Sequence, residues 1–189
     1  MTTYILCGGS DRKYEKFGAN LAKEITKIVP SPQFLDVFFM CPEDVWESHF
    51  AEWTKFYSKY FKEYSQEMAT FENFYEQIKN ADVVFLHGGR TTLLLEKLPD
   101  FEKVKKAIRG KIYVGSSAGS NYLAKHFLGR ERIQAGSGIL PINVAIHYES
   151  DDEIDVRSKE DADKLERKFP NVKTYRIREG GFEIFQEEM

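Results

Sequence analysis

KIYVGSSAGSNYLAKHFLG, residues 111–129, joins an apolar run to a turn of small residues and then to a helical pattern that closes at Gly129. The turn reads Gly115-x-Ser117-x-Gly119, the pattern of a strand-to-helix turn that exposes a serine hydroxyl above the edge of a sheet. The glycines are needed because a β-carbon beside so tight a reversal would strike the neighbouring strand or helix. We therefore predict a strand, a sharp turn and a helix, with Ser117 as the candidate nucleophile. An ordinary turn of small residues between a strand and a helix is the alternative interpretation.

Strand patterns and amphipathic helix patterns alternate along the rest of the chain. This alternation is typical of an α/β protein with a mostly parallel sheet between two layers of helices. The length of 189 residues suits one domain, so we predict a single three-layer α/β/α sandwich over residues 1–189. The predicted strands are residues 3–7, 33–40, 81–86, 111–114, 172–177 and 182–185, with further β-rich stretches within 132–148. The predicted helices are residues 14–29, 43–64, 68–80, 100–109 and 158–169, besides the helix after Ser117 and a helix that starts at residues 93–95.

Residues 42–80 are rich in aromatic and charged side chains. Many of the rings recur at intervals of three and four residues, as on a helix face that packs against a sheet. Packing in the core is therefore the favoured interpretation. The number of large rings also raises the hypothesis of a subunit contact through this region, in a homodimer.

The composition excludes several classes of protein. The net charge of −3 gives no support for nucleic-acid binding, and no run approaches the roughly 18 apolar residues of a membrane-spanning helix. Because the N-terminus shows no secretory signal, we expect a cytoplasmic protein. Cys7 and Cys41 lack metal-ligand spacing and are expected to be free thiols. Gly8-Gly9 is too short a signal for a phosphate-binding loop, so neither a cofactor nor a metal is expected.

A second turn of small residues follows the strand predicted at 81–86 and reads His87-Gly88-Gly89-Arg90. Open α/β sheets bind their ligands at the C-terminal ends of parallel strands. A backbone N–H of this turn is therefore placed to face an oxyanion above the neighbouring strand. Arg90 is a candidate for binding an anionic substrate group, with a solvent-exposed loop cation as the alternative.

A serine nucleophile needs an adjacent base, and the chain has four histidines: His49, His87, His126 and His147. His126 falls on the helix predicted after Ser117, about 13 Å along its axis, which excludes it. His49 lies on the aromatic helix pattern, where packing is the simpler role, and His87 is placed to line the pocket. His147 ends a segment broken by glycine and proline and is the favoured base.

A carboxylate is needed to orient the base and to stabilise its charged form. Glu179 is favoured because Gly180-Gly181 follow it in a tight turn between two predicted strands. The other candidates lie in an acidic run that is typical of a solvated loop. They are Glu149, Asp151, Asp152, Glu153 and Asp155.

These stretches resemble the peptidase E family, the aspartyl dipeptidases, together with its cyanophycinase-like relatives. Residues 114–121 are similar to the family's G-x-S-A-G-x-N elbow, and residues 87–91 are similar to its G-G-G-N-T loop. Residues 138–148 resemble the segment that carries the family histidine, and residues 178–180 resemble its P-E-G turn. The four matches occur in the family's order and cover about residues 80–185.

The resemblance implies a triad of Ser117, His147 and Glu179 on a fold related to class I glutamine amidotransferases, within the flavodoxin-like group. Those amidotransferases carry cysteine at the elbow, whereas this chain carries serine, which argues against glutaminase chemistry. The resemblance further implies an acyl-enzyme mechanism and a short peptide substrate with an N-terminal aspartate.

The resemblance also implies that backbone N–H groups of Ala118 and of Gly89, or Gly88, form an oxyanion hole. The chain departs from the family at this loop, where His87 replaces a glycine and Arg90 replaces an asparagine. Because that asparagine lies close to the substrate in the family, the replacement leaves the aspartyl specificity open. A guanidinium at this position is still able to pair with a substrate carboxylate.

We therefore favour a serine exopeptidase that hydrolyses short peptides, with an acidic N-terminal residue as one candidate specificity. An amidase or esterase that uses the same triad is a second hypothesis. A catalytically silent relative that binds a small ligand or a partner protein is a third, and the presence of all three triad residue types argues against it.

Overall fold

A computed structural model describes residues 1–9, 11–129, 132–150 and 157–188. Within these residues it has two β-sheets and seven α-helices. The strands are β1 (Thr2–Cys7), β2 (Gln33–Val37), β3 (Ser65–Met68), β4 (Val83–Leu86), β5 (Ile112–Ser116), β6 (His126–Leu128), β7 (Ile133–Ala135), β8 (Asn143–Ile146), β9 (Thr174–Ile177) and β10 (Phe182–Glu187). The helices are α1 (Glu15–Thr26), α2 (Trp46–Tyr60), α3 (Phe74–Asn80), α4 (Thr91–Lys97), α5 (Phe101–Ala107), α6 (Ala118–Leu123) and α7 (Lys159–Lys168). None of the helices in the described ranges has the length and apolar character of a membrane-spanning segment.

The larger sheet has the strand order β10-β1-β5-β4-β2-β3. Its strands β1 to β5 run parallel, and β10 pairs with β1 as an antiparallel edge strand. Tyr4 and Leu6 face one apolar core, which α3 to α6 cover, whereas Ile5 and Cys7 face another, which α1 and α2 cover. Because side chains alternate between the faces of a strand, the sheet is the middle of three layers. The predicted α/β sandwich with a mostly parallel sheet is confirmed.

A second, four-stranded sheet with the order β7-β6-β8-β9 is not predicted by the sequence. The prediction of a helix from Ser117 up to Gly129 is wrong, because α6 ends at Leu123 and β6 begins at His126. The apolar spacing of this stretch fits a helix locally. In the folded chain, however, the β6 backbone bonds to β7 on one side and to β8 on the other. This tertiary pairing overrides the local pattern.

The prediction of helices over residues 43–64 and 68–80 is also wrong in part. α2 ends at Tyr60 and α3 begins only at Phe74. Between them, β3 pairs in parallel with β2 at the edge of the larger sheet. The aromatic side chains buried in the core include Trp53, Phe56, Tyr57, Phe61 and Phe74. Core packing therefore accounts for these rings, and the homodimer contact stays a prediction.

The smaller sheet delivers two candidate residues to the carboxyl edge of the larger one. β8 and β9 are parallel neighbours, with Ile146 opposite Ile177. His147 follows β8 directly, and Glu179 follows β9 after one intervening residue. The His147 N–H donates to the carbonyl oxygen of Gly8, which follows β1, at 3.1 Å. The loops at the carboxyl ends of both sheets therefore meet.

Replacing Ser158 by alanine should weaken α7. The Ser158 hydroxyl accepts a hydrogen bond from the Asp161 N–H (3.2 Å), and the Asp161 carboxylate accepts one from the Ser158 N–H (3.4 Å). Because loss of such a cap costs about 1 kcal/mol, we expect Ser158→Ala to lower the free energy of unfolding in urea by about that amount. Ser48→Ala removes an exposed hydroxyl from α2 that is not its N-cap and should change stability by less than about 0.5 kcal/mol. Equal losses in both variants would contradict the capping role.

Candidate active site

Ser117 occupies a strained turn between β5 and α6. Its φ of 49° lies in the left-handed region, which a non-glycine residue adopts at a cost of roughly 1–3 kcal/mol. A β-carbon on Gly119 would lie 2.2 Å from the Leu86 carbonyl oxygen, and one on Gly115 would lie 2.6 Å from the Gly119 carbonyl carbon. Both glycines are therefore required for the turn. The turn places Ser117 at the wall of a cavity on the carboxyl edge of the larger sheet.

Ser117, His147 and Glu179 form a continuous chain of hydrogen bonds. Ser117 Oγ lies 3.0 Å from His147 Nε2, and His147 Nδ1 lies 2.7 Å from Glu179 Oε1. Because a carboxylate can only accept, His147 donates through Nδ1–H, which leaves Nε2 to accept from the Ser117 hydroxyl. The side chains of His147 and Glu179 are 10% and 4% exposed, so water competes little for these contacts. The structure thus brings together the three residues that the sequence offers as nucleophile, base and orienting carboxylate.

The Gly8-Gly9 turn after β1 supports the His147 ring. A β-carbon on Gly9 would lie 2.3 Å from His147 Cε1, and the Gly9 φ of 106° lies in the range that favours glycine. The imidazole therefore packs directly on the backbone at Gly9. In the sequence this glycine pair is only a weak phosphate-binding signal, since nothing local shows that a distant histidine covers it.

Tyr14 contacts the second oxygen of Glu179 and is a residue that the sequence analysis misses. Its hydroxyl donates to Glu179 Oε2 at 3.4 Å. Its ring packs against Gly180, where a β-carbon would lie 2.4 Å from Tyr14 Cγ. A tyrosine just before a helix carries no pattern that marks it as a site residue. The contact exists because the start of α1 passes beside the turn after β9.

Three residues near Ser117, namely Gly88, Gly89 and Ala118, carry backbone N–H groups. A β-carbon on Gly88 would lie 3.6 Å from Ser117 Cβ, and Gly89 lines the same cavity as Ser117. Among the described residues, none of these three N–H groups has a hydrogen-bond acceptor. Gly89 has a φ of 151°, which favours glycine. Unpaired N–H groups beside a nucleophile are suited to stabilising negative charge on a carbonyl oxygen.

A cavity of about 380 Å³ opens beside Ser117 and His147. Two arginines line it: Arg90, which is exposed, and Arg157, which is 8% exposed. The Arg90 guanidinium makes no ion pair with any residue that the structure describes. Arg157 Nε donates to the Leu128 carbonyl oxygen at 3.4 Å, whereas the exposed Arg90 guanidinium places a positive charge at the cavity that suits an anionic group. Arg157 is not predicted as a site residue, because in the sequence it ends an acidic run that is typical of a solvated loop.

His87 does not line this cavity, although the sequence places it in the pocket. Its Nε2–H donates to Asp36 Oδ1 at 2.6 Å, and the Tyr57 hydroxyl donates to the same oxygen at 2.7 Å. The ring lies between Phe38 and Phe85, with centroid distances of 4.5 and 4.2 Å. Burial lowers the pKa of His87 and favours the neutral imidazole. The side chain borders a separate cavity of about 410 Å³ and anchors the loop after β4.

The remaining candidates lie apart from Ser117. His126 belongs to β6 rather than to α6; its ring stacks on Phe169 and its Nδ1 donates to Asn143 Oδ1 at 2.9 Å, and it does not line the cavity beside Ser117. His49 lies in α2, and Glu149 pairs with Arg178. Four of the candidate orienting carboxylates lie outside the described residues: Asp151, Asp152, Glu153 and Asp155. In the described ranges, no cluster of three or more His, Cys, Asp or Glu side chains has the arrangement of a metal site.

The chain matches a known protein family by sequence and a solved structure by fold. The sequence profile of Peptidase family S51 matches residues 5–181. No curated protein sequence matches significantly. The chain is similar to a 1.5 Å crystal structure of a candidate peptidase E protein from Listeria monocytogenes EGD-e, with a TM-score of 0.66 and 14% identity over 100% of this chain and 99% of that chain. At this identity the likeness shows the fold alone, and it agrees with a flavodoxin-like α/β architecture.

Burial makes His87 a source of acid sensitivity. In the unfolded chain its pKa is about 6.5, whereas in the folded chain burial lowers the pKa. Below about pH 6.5 the unfolded state therefore binds more protons than the folded state. The stability that neutral His87 confers is thus present above about pH 6.5 and is lost as the pH falls towards the folded pKa.

Urea unfolding at pH 7 and pH 5 tests this effect. We expect the wild type to lose up to about 2 kcal/mol of stability through His87 as the pH falls from about 6.5 to 5, at about 1.36 kcal/mol for each pH unit over which only the unfolded state binds the proton. His87→Gln keeps an amide donor for Asp36 but has no titrating group, so it should lose less on acidification. The same loss in the wild type and the variant would contradict a neutral, buried His87.

Proposed function

Because the chain belongs to Peptidase family S51, we propose that it is a serine exopeptidase that hydrolyses short peptides through Ser117, His147 and Glu179. Family membership supports a serine peptidase, and therefore a hydrolase. The proposal that these three residues carry out the hydrolysis rests on one observation, the unbroken hydrogen-bond chain from Ser117 Oγ through His147 to Glu179. The strained turn at Ser117 supports a nucleophile elbow.

In the proposed acylation step, the Ser117 oxygen attacks the carbonyl carbon of the scissile peptide bond. His147 takes the hydroxyl proton at Nε2, and the Glu179 carboxylate stabilises the resulting imidazolium through its contact with Nδ1. The tetrahedral intermediate collapses as the C–N bond breaks, and His147 gives the proton to the leaving amine. An ester on Ser117 and a free amine result.

In the proposed deacylation step, water replaces the amine. His147 removes a proton from the water molecule, whose oxygen attacks the ester carbonyl carbon. The bond between the acyl carbon and the Ser117 oxygen then breaks, and His147 returns the proton to that oxygen. The carboxylic acid product leaves the site.

Negative charge develops on the carbonyl oxygen in both steps. We assign this oxygen to the N–H groups of Ala118 and Gly89, with Gly88 as the alternative to Gly89. The support is that these groups lie beside Ser117 and, within the described residues, have no acceptor of their own. Removal of one such donor in a serine protease lowers the rate by about 10²–10³, so the assignment accounts for a sizeable part of the proposed catalysis.

The cavity beside Ser117 supports a small, acidic substrate. Its volume of about 380 Å³ is near the lower end of the roughly 300–1,000 Å³ of small-ligand sites, which favours a short peptide over a folded chain. Arg90 and Arg157 supply guanidinium groups that hydrogen-bond a carboxylate in a charge-assisted manner. We therefore propose peptides with an acidic N-terminal residue, whose side-chain carboxylate binds at these two arginines.

Labelling with a fluorophosphonate probe tests whether Ser117 is an activated nucleophile. The wild type should gain the mass of one probe. Ser117→Ala removes the attacking oxygen and His147→Ala removes the base, so labelling should fall by at least about a thousandfold in both. Intact mass spectrometry over a time course measures the rates.

Two matched variants control for general damage to the fold. Ser116→Ala removes the neighbouring hydroxyl, and His49→Ala removes a histidine of α2. Both should label at the wild-type rate. A folded wild type that does not react with the probe, or a Ser117→Ala variant that still reacts, would overturn the proposed function.

Paired dipeptides test the role of the arginines. Asp-Leu and Asn-Leu differ by one charge at nearly the same size, so the ratio of their kcat/KM values reports recognition of the carboxylate. We expect the wild type to prefer Asp-Leu, and Arg90→Gln and Arg157→Gln each to lower that preference by about tenfold, since a hydrogen bond to a charged group contributes about 1.5–3 kcal/mol. Arg167→Gln, on the exposed face of α7, should leave the ratio unchanged.

An equal preference for the two dipeptides in the wild type would contradict the acidic specificity. Faster hydrolysis of simple esters or amides than of any peptide would instead favour an esterase or amidase on the same three residues.

A further inference from the structure

The loop that carries Gly88 and Gly89 is anchored at both ends on the last residue of β2 and the residues that follow it. At one end, the His87 N–H donates to the Val37 carbonyl oxygen at 3.2 Å. At the other end, the Arg90 N–H donates to the Met40 carbonyl oxygen at 3.1 Å. The four-residue loop is therefore held against residues 37–40, whereas the peptide units on either side of Gly88, including the central Gly88–Gly89 unit, make no backbone hydrogen bond to that segment.

Cys41 contacts this central peptide unit. Its Sγ donates to the Gly88 carbonyl oxygen at 3.4 Å. Cys41 is itself fixed, because its N–H donates to the Phe38 carbonyl oxygen (2.8 Å) and its carbonyl oxygen accepts from Trp46 Nε1 (3.2 Å). Burial raises the pKa of the Cys41 thiol, so the group keeps its proton at neutral pH and acts as a donor.

The contact determines where the Gly89 N–H points. The peptide bond between Gly88 and Gly89 is trans, and in a trans peptide the C=O and the following N–H point in opposite directions. Since the Gly88 carbonyl faces Cys41, the Gly89 N–H faces away from Cys41. Gly89 also lines the cavity that contains Ser117. A turned peptide would present the Gly88 carbonyl oxygen in place of this N–H.

The sequence of the loop makes such a turn of the peptide accessible. Two consecutive glycines carry no β-carbon to restrict the peptide between them. The backbone of Gly89 packs closely on the same segment, because a β-carbon there would lie 2.7 Å from Met40 Cγ and 3.1 Å from Cys41 Sγ. Within the described residues, the thiol of Cys41 is the hydrogen-bond donor to the Gly88 carbonyl oxygen.

We propose that Cys41 is a positioning residue: its thiol holds the Gly88–Gly89 peptide so that the Gly89 N–H faces the carbonyl oxygen of the substrate. The inference rests on the proposed function, since it supplies a donor to the oxyanion of that reaction. It assigns a role to a buried cysteine that touches neither the substrate nor Ser117.

Cys41→Thr and Cys41→Val form a matched pair of variants for the test. The two replacements have nearly the same shape, but threonine keeps a hydroxyl donor and valine has none. We expect Cys41→Val to lower kcat and the rate of fluorophosphonate labelling by about two- to fivefold through loss of the weak S–H bond, and by up to about a hundredfold if the peptide turns. KM should not change, because the contact with the oxyanion exists only in the transition state. Cys41→Thr should retain most of the activity.

The carbonyl ¹³C resonance of Gly88 and the amide resonance of Gly89 report the same contact without any substrate. Both should move in Cys41→Val and stay close to their wild-type positions in Cys41→Thr. Ile108→Val, a loss of one methylene elsewhere in the same core, should leave the resonances and the labelling rate unchanged. This control separates hydrogen-bond donation from general loosening of the core.

Equal rates in the wild type and both Cys41 variants, with unchanged resonances, would overturn the inference. Equal losses in Cys41→Thr and Cys41→Val would also overturn it, because size rather than donation would then matter. A wild type that fails to label would reject the proposed function instead. In that case the resonances would still decide whether the thiol holds the peptide.

Discussion

Three backbone hydrogen bonds at Gly8 and Gly9 tie the end of β1 to His147 after β8 and to the Gly180-Gly181 turn between β9 and β10, and the arrangement of the candidate site depends on them. The Gly8 N–H donates to the Gly181 carbonyl oxygen (3.0 Å), while the carbonyl oxygens of Gly8 and Gly9 accept from the N–H groups of His147 (3.1 Å) and Gly180 (3.2 Å). A β-carbon on Gly8 would lie 2.0 Å from the Arg178 carbonyl oxygen. Only a glycine pair allows so close an approach of the backbones, and this approach brings the loops after β8 and β9 to the edge that carries Ser117.

Backbone hydrogen bonds to neighbouring segments hold the two strained residues of the site, Ser117 and His147. Ser117 and His147 both have positive φ values, 49° and 52°, a conformation that costs non-glycine residues roughly 1–3 kcal/mol each. The Ser117 N–H donates to the Cys7 carbonyl oxygen (3.2 Å), and the His147 carbonyl oxygen accepts from the Arg157 N–H (3.0 Å). Each strained residue is thus bonded on its backbone to a neighbouring segment. The serine and the imidazole are therefore held in position before any substrate arrives.

The chain contains two buried pairs of histidine and carboxylate, and their surroundings separate their roles. His147 and Glu179 lie beside a cavity, and the second ring nitrogen of His147 contacts the Ser117 hydroxyl. His87 pairs with Asp36 and lies between two phenylalanine rings, where burial lowers the pKa of the histidine and favours its neutral form. In the sequence both histidines stand at the end of a strand before a turn. His147 is the candidate base because its ring contacts the Ser117 hydroxyl, whereas His87 contacts no candidate nucleophile among the described residues. This difference follows from the fold and is not visible in the sequence.

The sequence by itself determined the strand, turn and helix at Ser117 and the mostly parallel α/β class, because both follow from residues that are close together in the chain. A turn with glycines two residues on either side of a serine is a local steric requirement, and strand and helix periodicities are local as well. Their positions at the ends of predicted strands favoured His147 and Glu179 over the alternatives, and the resemblance to a family implied the same two residues. The tertiary structure alone decided the second sheet and the contacts of Tyr14, Cys41 and Arg157. These depend on backbone pairing and packing between segments far apart in the chain, and short-range patterns carry no information about which distant segments meet.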